Sequence, residues 1–350
     1  MDAPETRYVG VGGGQVAYQV LGEGPIDLVF HHGFCHLDLQ WEVRPEAAFN
    51  RRLASFSRLI LFDRRGCGAS ERLPLGRFPT DEEWNQDLLA VLDAVGAGSV
   101  ALFAEVEAGP MALNFSAAHP GRVDALVLAN TAARFGADEG YPCGMTEEEI
   151  GEYEEFHESL WGTPQMLKAA FPSLVDDDET LSALGRLTRA AATPRIAARQ
   201  MRHIRGELDA RSALDTLDVP TLVLQSGFTE DDRAEARSRY LVDHIKGATY
   251  CEVPGTDAFL FGNNFEPAIA EVAKFLTGEA LRVEHEHLVM TLLFTDIVSS
   301  TERLSALGDE QWKPVLDAHE RDVRELLTRF GGRAINTTGD GFFAGFDSPT

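Results

Sequence analysis

Residues Val100 to Pro120 read VALFAEVEAGPMALNFSAAHP. An apolar run over 100–104 breaks at Glu105-Val106-Glu107 and continues from Pro110 to His119 as a stretch with helical composition. A strand that turns directly into a helix is the repeating step of a chain that alternates the two. The same step recurs on both sides. Apolar or alternating runs bounded by glycine and polar turns predict strands over 7–11, 15–21, 26–31, 59–62, 125–129, 221–225 and 248–253. Helices are predicted between them near 46–55, 81–95, 233–245 and 266–275. Such an order predicts an α/β class: a mostly parallel sheet with helices on both faces.

Composition narrows the classes of function. At 350 residues and 44% hydrophobic content, the chain has length for two domains and can bury a sizeable core. Against 31 basic residues stand 56 acidic ones, a formal charge of −25 that repels nucleic acid and anionic membrane surfaces. Neither partner is expected. No apolar run approaches the ~18–20 residues of a membrane helix, and Met1 to Gly14 lacks the basic start and apolar core of a secretory leader. A cytoplasmic location is the expectation. Cys35, Cys67, Cys143 and Cys251 are widely spaced without a CxxC pair, so reduced thiols are expected rather than zinc or disulfides.

Three strings carry a family resemblance: HHGF at His31–Phe34, FDRRGCGAS at Phe62–Ser70, and AGPMALNFSAAHP at Ala108–Pro120. Together they resemble the α/β-hydrolase fold over about residues 8–278. Active members carry G-x-S-x-G at the turn after the central strand, exposing a nucleophile. Here the turn reads Ala104-Glu105-Val106-Glu107-Ala108. Valine has no oxygen or sulfur with which to attack a carbonyl. The family's histidine follows a G-x-D string, and here Gly255-Thr256-Asp257 is followed by Ala258. The resemblance places the acid at Thr229, with Glu230 and Asp231 just beyond. Val106, Thr229 and Ala258 are therefore the degenerate triad positions, and a triad lacking nucleophile and base cannot run acyl transfer. Because both elbow glycines are alanines, the turn is expected to have relaxed. His31 and His32 fall where the fold forms its oxyanion hole, and Glu105 and Glu107 flank Val106, so this cluster is a polar candidate.

Residues 131–217 interrupt the strand alternation with a largely helical insert, expected to be the lid. Glu147 to Ser159 carries seven acidic residues, read as a solvated helix face. Trp161, Met166, Leu167 and Phe171 suit either lid packing or a small apolar ligand beneath the lid. Residues 279–287 form a short polar linker, too brief for free tethering.

The last stretch carries a second resemblance. LVMTLLFTDIVSST over 288–301 is a β-compatible run ending on Asp296, and NTTGDGFFAGF over 336–346 reads as a hairpin with Asp340 in its turn. Taken singly, these aspartates suit a helix N-cap and a turn. Helical stretches over 300–307 and 309–330 fill the interval, stopped by Gly331-Gly332. Together the strings resemble the class III nucleotidyl cyclases. The resemblance implies that Asp296 and Asp340 bind two Mg²⁺ or Mn²⁺ ions, with the Ile297 carbonyl as a further ligand. It also implies that Val298, Ser299, Ser300 and Thr301 receive the triphosphate of ATP, that Asn336 stands at the base-recognition position, and that the active site forms between two subunits of a homodimer. The family's remaining strands and its dimer-acting Asn and Arg are expected beyond Thr350.

The expected architecture is therefore an α/β-hydrolase-like domain over 1–278, the linker, and the N-terminal part of a ferredoxin-like class III cyclase domain over 288–350. The expected function is an adenylate cyclase making cyclic AMP under control of a catalytically dead hydrolase-like sensor. The alternatives are an active, esterase-like hydrolase with a cyclase-like tail, or a non-catalytic ligand-binding protein.

Overall fold

A computed structural model of the chain describes residues 3–31, 33–73, 77–228, 233–262, 264–281, 291–337 and 341–346. It divides into two compact units, Met1–Leu281 and Arg282–Thr350.

The first unit is built on an eight-stranded sheet. Its strands are β1 (Arg7–Val11), β2 (Gly14–Leu21), β3 (Ile26–His31), β4 (Ser57–Asp63), β5 (Val100–Glu105), β6 (Val123–Ala129), β7 (Thr221–Ser226) and β8 (Thr249–Val253). The spatial order is β1-β2-β4-β3-β5-β6-β7-β8. The pairs β1–β2 and β2–β4 are antiparallel and the rest parallel. Helices α1 (Arg44–Ala54), α2 (Asp81–Val95) and α3 (Ala108–Ala118) follow β3, β4 and β5. Between β6 and β7 lie α4 (Glu147–Leu160), α5 (Pro164–Ala170), α6 (Asp178–Ala191), α7 (Pro194–Gly206) and α8 (Arg211–Leu214), which form the lid. Helices α9 (Ala234–His244) and α10 (Glu266–Thr277) flank β8.

Continuous apolar runs become the central strands because both faces of the sheet are covered. Along β3, Leu28 and Phe30 face one core with Phe49 and Leu53 of α1 and Ile269 of α10, while Val29 faces the other with Leu88 of α2 and Leu113 of α3. Parallel register sets Phe30 beside Phe103 of β5, their rings 5.0 Å apart. Each such buried ring contributes about 2 kcal/mol by removal from water.

Local signals set the helix ends. At α2, the Thr80 hydroxyl accepts from the Glu83 amide (3.2 Å) and the Glu83 carboxylate accepts from the Thr80 amide (3.0 Å); Gly96 closes the helix at φ 71°. The lid helix α4 opens on the same reciprocal cap, Thr146 with Glu149. Its acidic run thus starts where a helix N-terminus favours negative charge. Glu147 and Glu154 then pair with Arg202 of α7, and Glu149 pairs with Arg233. Part of the face expected to be merely solvated therefore ties α4 to its neighbours.

The second unit contains β9 (Thr291–Thr295), α11 (Ser300–Leu307), α12 (Asp309–Arg329), β10 (Gly332–Thr337) and β11 (Phe342–Phe346). The strand order is β10-β11-β9, all antiparallel. Leu327, Phe342 and Ala344 make its small buried core.

Candidate functional site

Parallel strands leave a crevice at their carboxyl ends, where ligands of open α/β sheets bind. In this chain the β5 end carries Glu105, Val106 and Glu107, and α3 begins at the next residue. The turn has not relaxed. Val106 sits at φ 47°, a left-handed conformation that is an outlier for a β-branched residue and costs about 1–3 kcal/mol. Three contacts hold it there: its amide donates to Ala129 O (3.1 Å), and its carbonyl accepts from the Gly109 amide (3.3 Å) and from the Thr131 hydroxyl. Gly109 is needed for this approach, because a Cβ there would lie 2.0 Å from Thr131 Oγ1. Ala104 and Ala108, where glycines were expected, are fully buried in the core on the α2–α3 side. The elbow thus keeps its strained geometry while its side chain is an aliphatic one.

Val106 and Ala258 line one cavity of about 320 Å³. Its walls are mostly apolar, including Phe34, Phe259 and Phe261 from the sheet side and Trp161, Met166 and Leu187 from the lid. Ala258 is fixed by its amide, which donates to Ala170 O (2.8 Å), and by its carbonyl, which accepts from Asn130 Nδ2 (3.0 Å). Asn130, at φ 48° beyond β6, also exchanges hydrogen bonds with Ser226 at the end of β7. Asp257, next to Ala258, is turned away to accept from the Ser173 amide (2.9 Å) and hydroxyl (2.5 Å). Thr229, Glu230 and Asp231 lie outside the described residues, as does His32. His31 does not reach this cavity: its ring packs on Phe62 (4.9 Å) and lines a separate small gap with Trp84 and Met111.

A buried ion pair crosses from the elbow to the lid. Glu107 Oε1 accepts from Arg205 Nη2 of α7 at 2.8 Å, with the two side chains only 2% and 1% exposed. The Tyr153 hydroxyl of α4 accepts from Arg205 (2.9 Å) and donates weakly to Glu107 (3.4 Å). The guanidinium lies 3.8 Å from the Tyr153 ring centre and 4.6 Å from that of Phe135. Burial alone would raise the Glu107 carboxyl, but the charge and hydrogen bond of Arg205 outweigh it and hold the group below its ordinary value. Glu107 Oε2 has no hydrogen-bond partner among the described residues.

Other buried carboxyls are shifted the opposite way. Glu105 is fully buried, accepts from the Leu260 amide (3.1 Å), and is pushed up to about 8 by burial. Glu46 of α1, a cavity wall residue, is raised to about 8 by burial and by the nearby Glu105. Asp63 is raised to about 7 by burial even though it accepts from the amides of Leu37 (3.1 Å) and Ala69 (2.7 Å). At neutral pH Glu46 and Glu105 are therefore mostly protonated, while the ionised Glu107 is balanced by Arg205. Arg205 and Tyr153 escaped sequence reasoning. They are contributed by lid helices far along the chain, and their composition looked like ordinary helical spacing.

In the second unit, Asp296 follows β9, is exposed, and accepts from the next amide, Ile297 N, at 3.0 Å. The Ile297 carbonyl accepts from Ser300 N (3.2 Å), so that carbonyl and that amide already serve the turn into α11. Val298 is 80% exposed and Ser299 sits at φ 59° without a side-chain cap. Asn336 is exposed on β10, and Thr301 lies in α11. Asp340 lies outside the described residues. Among those described, no group of three or more His, Cys, Asp or Glu side chains could hold a metal ion.

Comparison with known proteins agrees with the cavity rather than the tail. Residues 28–156 match the family described as alpha/beta hydrolase fold. A karrikin insensitive 2 receptor of Petunia hybrida is 23% identical over 247 residues, spanning 69% of this chain and 88% of that protein. A probable esterase of Oryza sativa subsp. japonica is 26% identical over 249 residues, with the same coverage of each chain. Among solved structures, a thermophilic esterase from Thermogutta terrifontis superposes with a TM-score of 0.62 at 18% identity, covering 78% of this chain and 98% of its own. These findings overturn the adenylate cyclase expectation. The similar proteins are described as a receptor, a probable esterase and an esterase, and no family match places a class III cyclase domain in the chain. The two short strings had suggested a cyclase by their resemblance to that family. No helix among the described residues is long and apolar enough to cross a membrane. From sheet order, lid, elbow and relatives together, the fold of the first unit is that of the α/β hydrolases.

Proposed function

We propose that the first unit binds a small, mostly apolar molecule in the cavity between sheet and lid, in the manner of a hydrolase-like receptor. The observation that carries this reading is Val106: the elbow retains its φ of 47° and aims an aliphatic side chain into the cavity where acyl chemistry needs a nucleophile. Ala258, which lines the same cavity, offers no base. A volume of about 320 Å³ lies at the lower end of the ~300–1,000 Å³ typical of small-molecule sites. The receptor from Petunia supports binding as a use for such a pocket. The test is covalent labelling: full-length protein incubated with a fluorophosphonate should show no mass adduct in the first unit. A stoichiometric adduct there would refute the reading.

A second reading, hydrolysis without a covalent intermediate, is favoured by one specific observation and by the rice relative's description as a probable esterase. Glu107 is ionised, and its Oε2 accepts no hydrogen bond among the described residues, so it is chemically able to take a proton from water. Saturable cleavage of short acyl esters that disappears in Glu107→Gln would establish this reading over the first.

A further inference from the structure

The unpartnered oxygen of Glu107 says more about the ligand. A buried carboxylate oxygen without a donor is costly, and proteins rarely leave one so unless something else supplies the hydrogen bond. Oε1 is engaged by Arg205 and Tyr153, whereas Oε2 faces the turn at Gly33. A Cβ at Gly33 would stand 3.3 Å from Oε2, so the glycine keeps a side chain off that face of the buried oxygen, next to Phe34, itself a cavity wall. Charge limits what can fill the place. Arg205 already neutralises Glu107, and burial keeps neighbouring Glu46 protonated at neutral pH, so neither an ammonium nor a carboxylate finds net opposite charge.

We propose that the cavity selects a neutral, largely apolar molecule bearing one hydroxyl or N–H group, which donates to Glu107 Oε2 while its apolar body packs among Phe34, Trp161 and Phe259. This rests on the binding function above and adds the chemical class of the ligand.

The probes are naphthylmethanol, its methyl ether, methylnaphthalene and naphthylmethylamine, titrated into the full chain by calorimetry. The alcohol should bind about tenfold or more tightly than the ether, as expected for a hydrogen bond to a charged acceptor. Glu107→Gln can present an amide N–H where Oε2 stood, so the alcohol should lose its advantage and the ether should gain. Gly33→Ala leaves Glu107 in place but crowds Oε2, so the alcohol's preference should shrink while methylnaphthalene still binds. Equal wild-type affinity for alcohol, ether and hydrocarbon would overturn the donor requirement and leave the apolar cavity standing. Tighter binding of the amine would overturn neutrality. Failure of every probe to bind would overturn both this inference and the binding function.

Discussion

Replacing Arg205 by methionine should destabilise the first unit by about 3–5 kcal/mol, the usual consequence of removing one partner of a buried ion pair. The geometry argues for the upper half of that range. The pair is 2.8 Å long and both side chains are essentially inaccessible to water. The guanidinium also loses its positions over Tyr153 and Phe135. The penalty should depend on pH with a definite sign. In the native protein the Glu107 carboxyl lies below its ordinary value, so the stability it contributes is present above the unfolded carboxylate range and lost on acidification through the folded value. In Arg205→Met, burial without a counter-ion raises the group instead. The difference between wild type and variant should therefore be larger at pH 8 than at pH 5, where the orphaned carboxyl can protonate. Urea unfolding followed by tryptophan fluorescence at the two pH values measures it. The double variant Glu107→Leu/Arg205→Met should recover much of the loss because no charge is left buried. A single-variant penalty below about 1 kcal/mol at pH 8, or a double variant no better than the single, would refute the claim that lid and elbow are joined by this pair.

Glu105, raised to about 8 by burial, holds its proton in the folded state over a range where the unfolded chain releases it. Wild-type stability should thus fall as pH rises from about 4.5 to 8 and then level off, and Glu105→Gln, which keeps an acceptor for Leu260 N, should flatten part of that slope in urea melts. Gly109→Ala should cost about 1–3 kcal/mol or more in the same assay, since the added methyl would meet Thr131 Oγ1 at 2.0 Å. Adding Thr131→Ser to that variant should not rescue it, because the hydroxyl that clashes is retained.

What could be read from the sequence divides along physical lines. The run Val100–Glu105 is buried on both faces, and a continuous apolar string bounded by turn residues reports that directly. The positions of Val106 and Ala258 were legible too, because both stand in strings of recognisable form, and both residues line one cavity. The backbone at Val106 was not legible. Two alanines suggested relaxation, yet the left-handed turn is imposed by Ala129, Gly109 and Thr131, two of them contributed by β6 and the loop after it. Nor could the partner of Glu107 be read, since Arg205 reaches it only once α7 folds over the sheet. At the other end of the chain two short strings suggested a cyclase by resemblance, a function that the family match and the relatives do not support.

The most direct test is to load the full chain with (hydroxymethyl)naphthyl acetate, which carries the hydroxyl donor proposed above, remove free ester by rapid gel filtration, and quantify intact ester against the corresponding naphthol in the protein fraction. A cavity that holds its ligand without a nucleophile at Val106 predicts saturable retention of the ester, recovered whole, at a stoichiometry near one. Recovery of naphthol in its place, at a rate abolished by Glu107→Gln, would contradict the account and show the cavity to be a working hydrolase site.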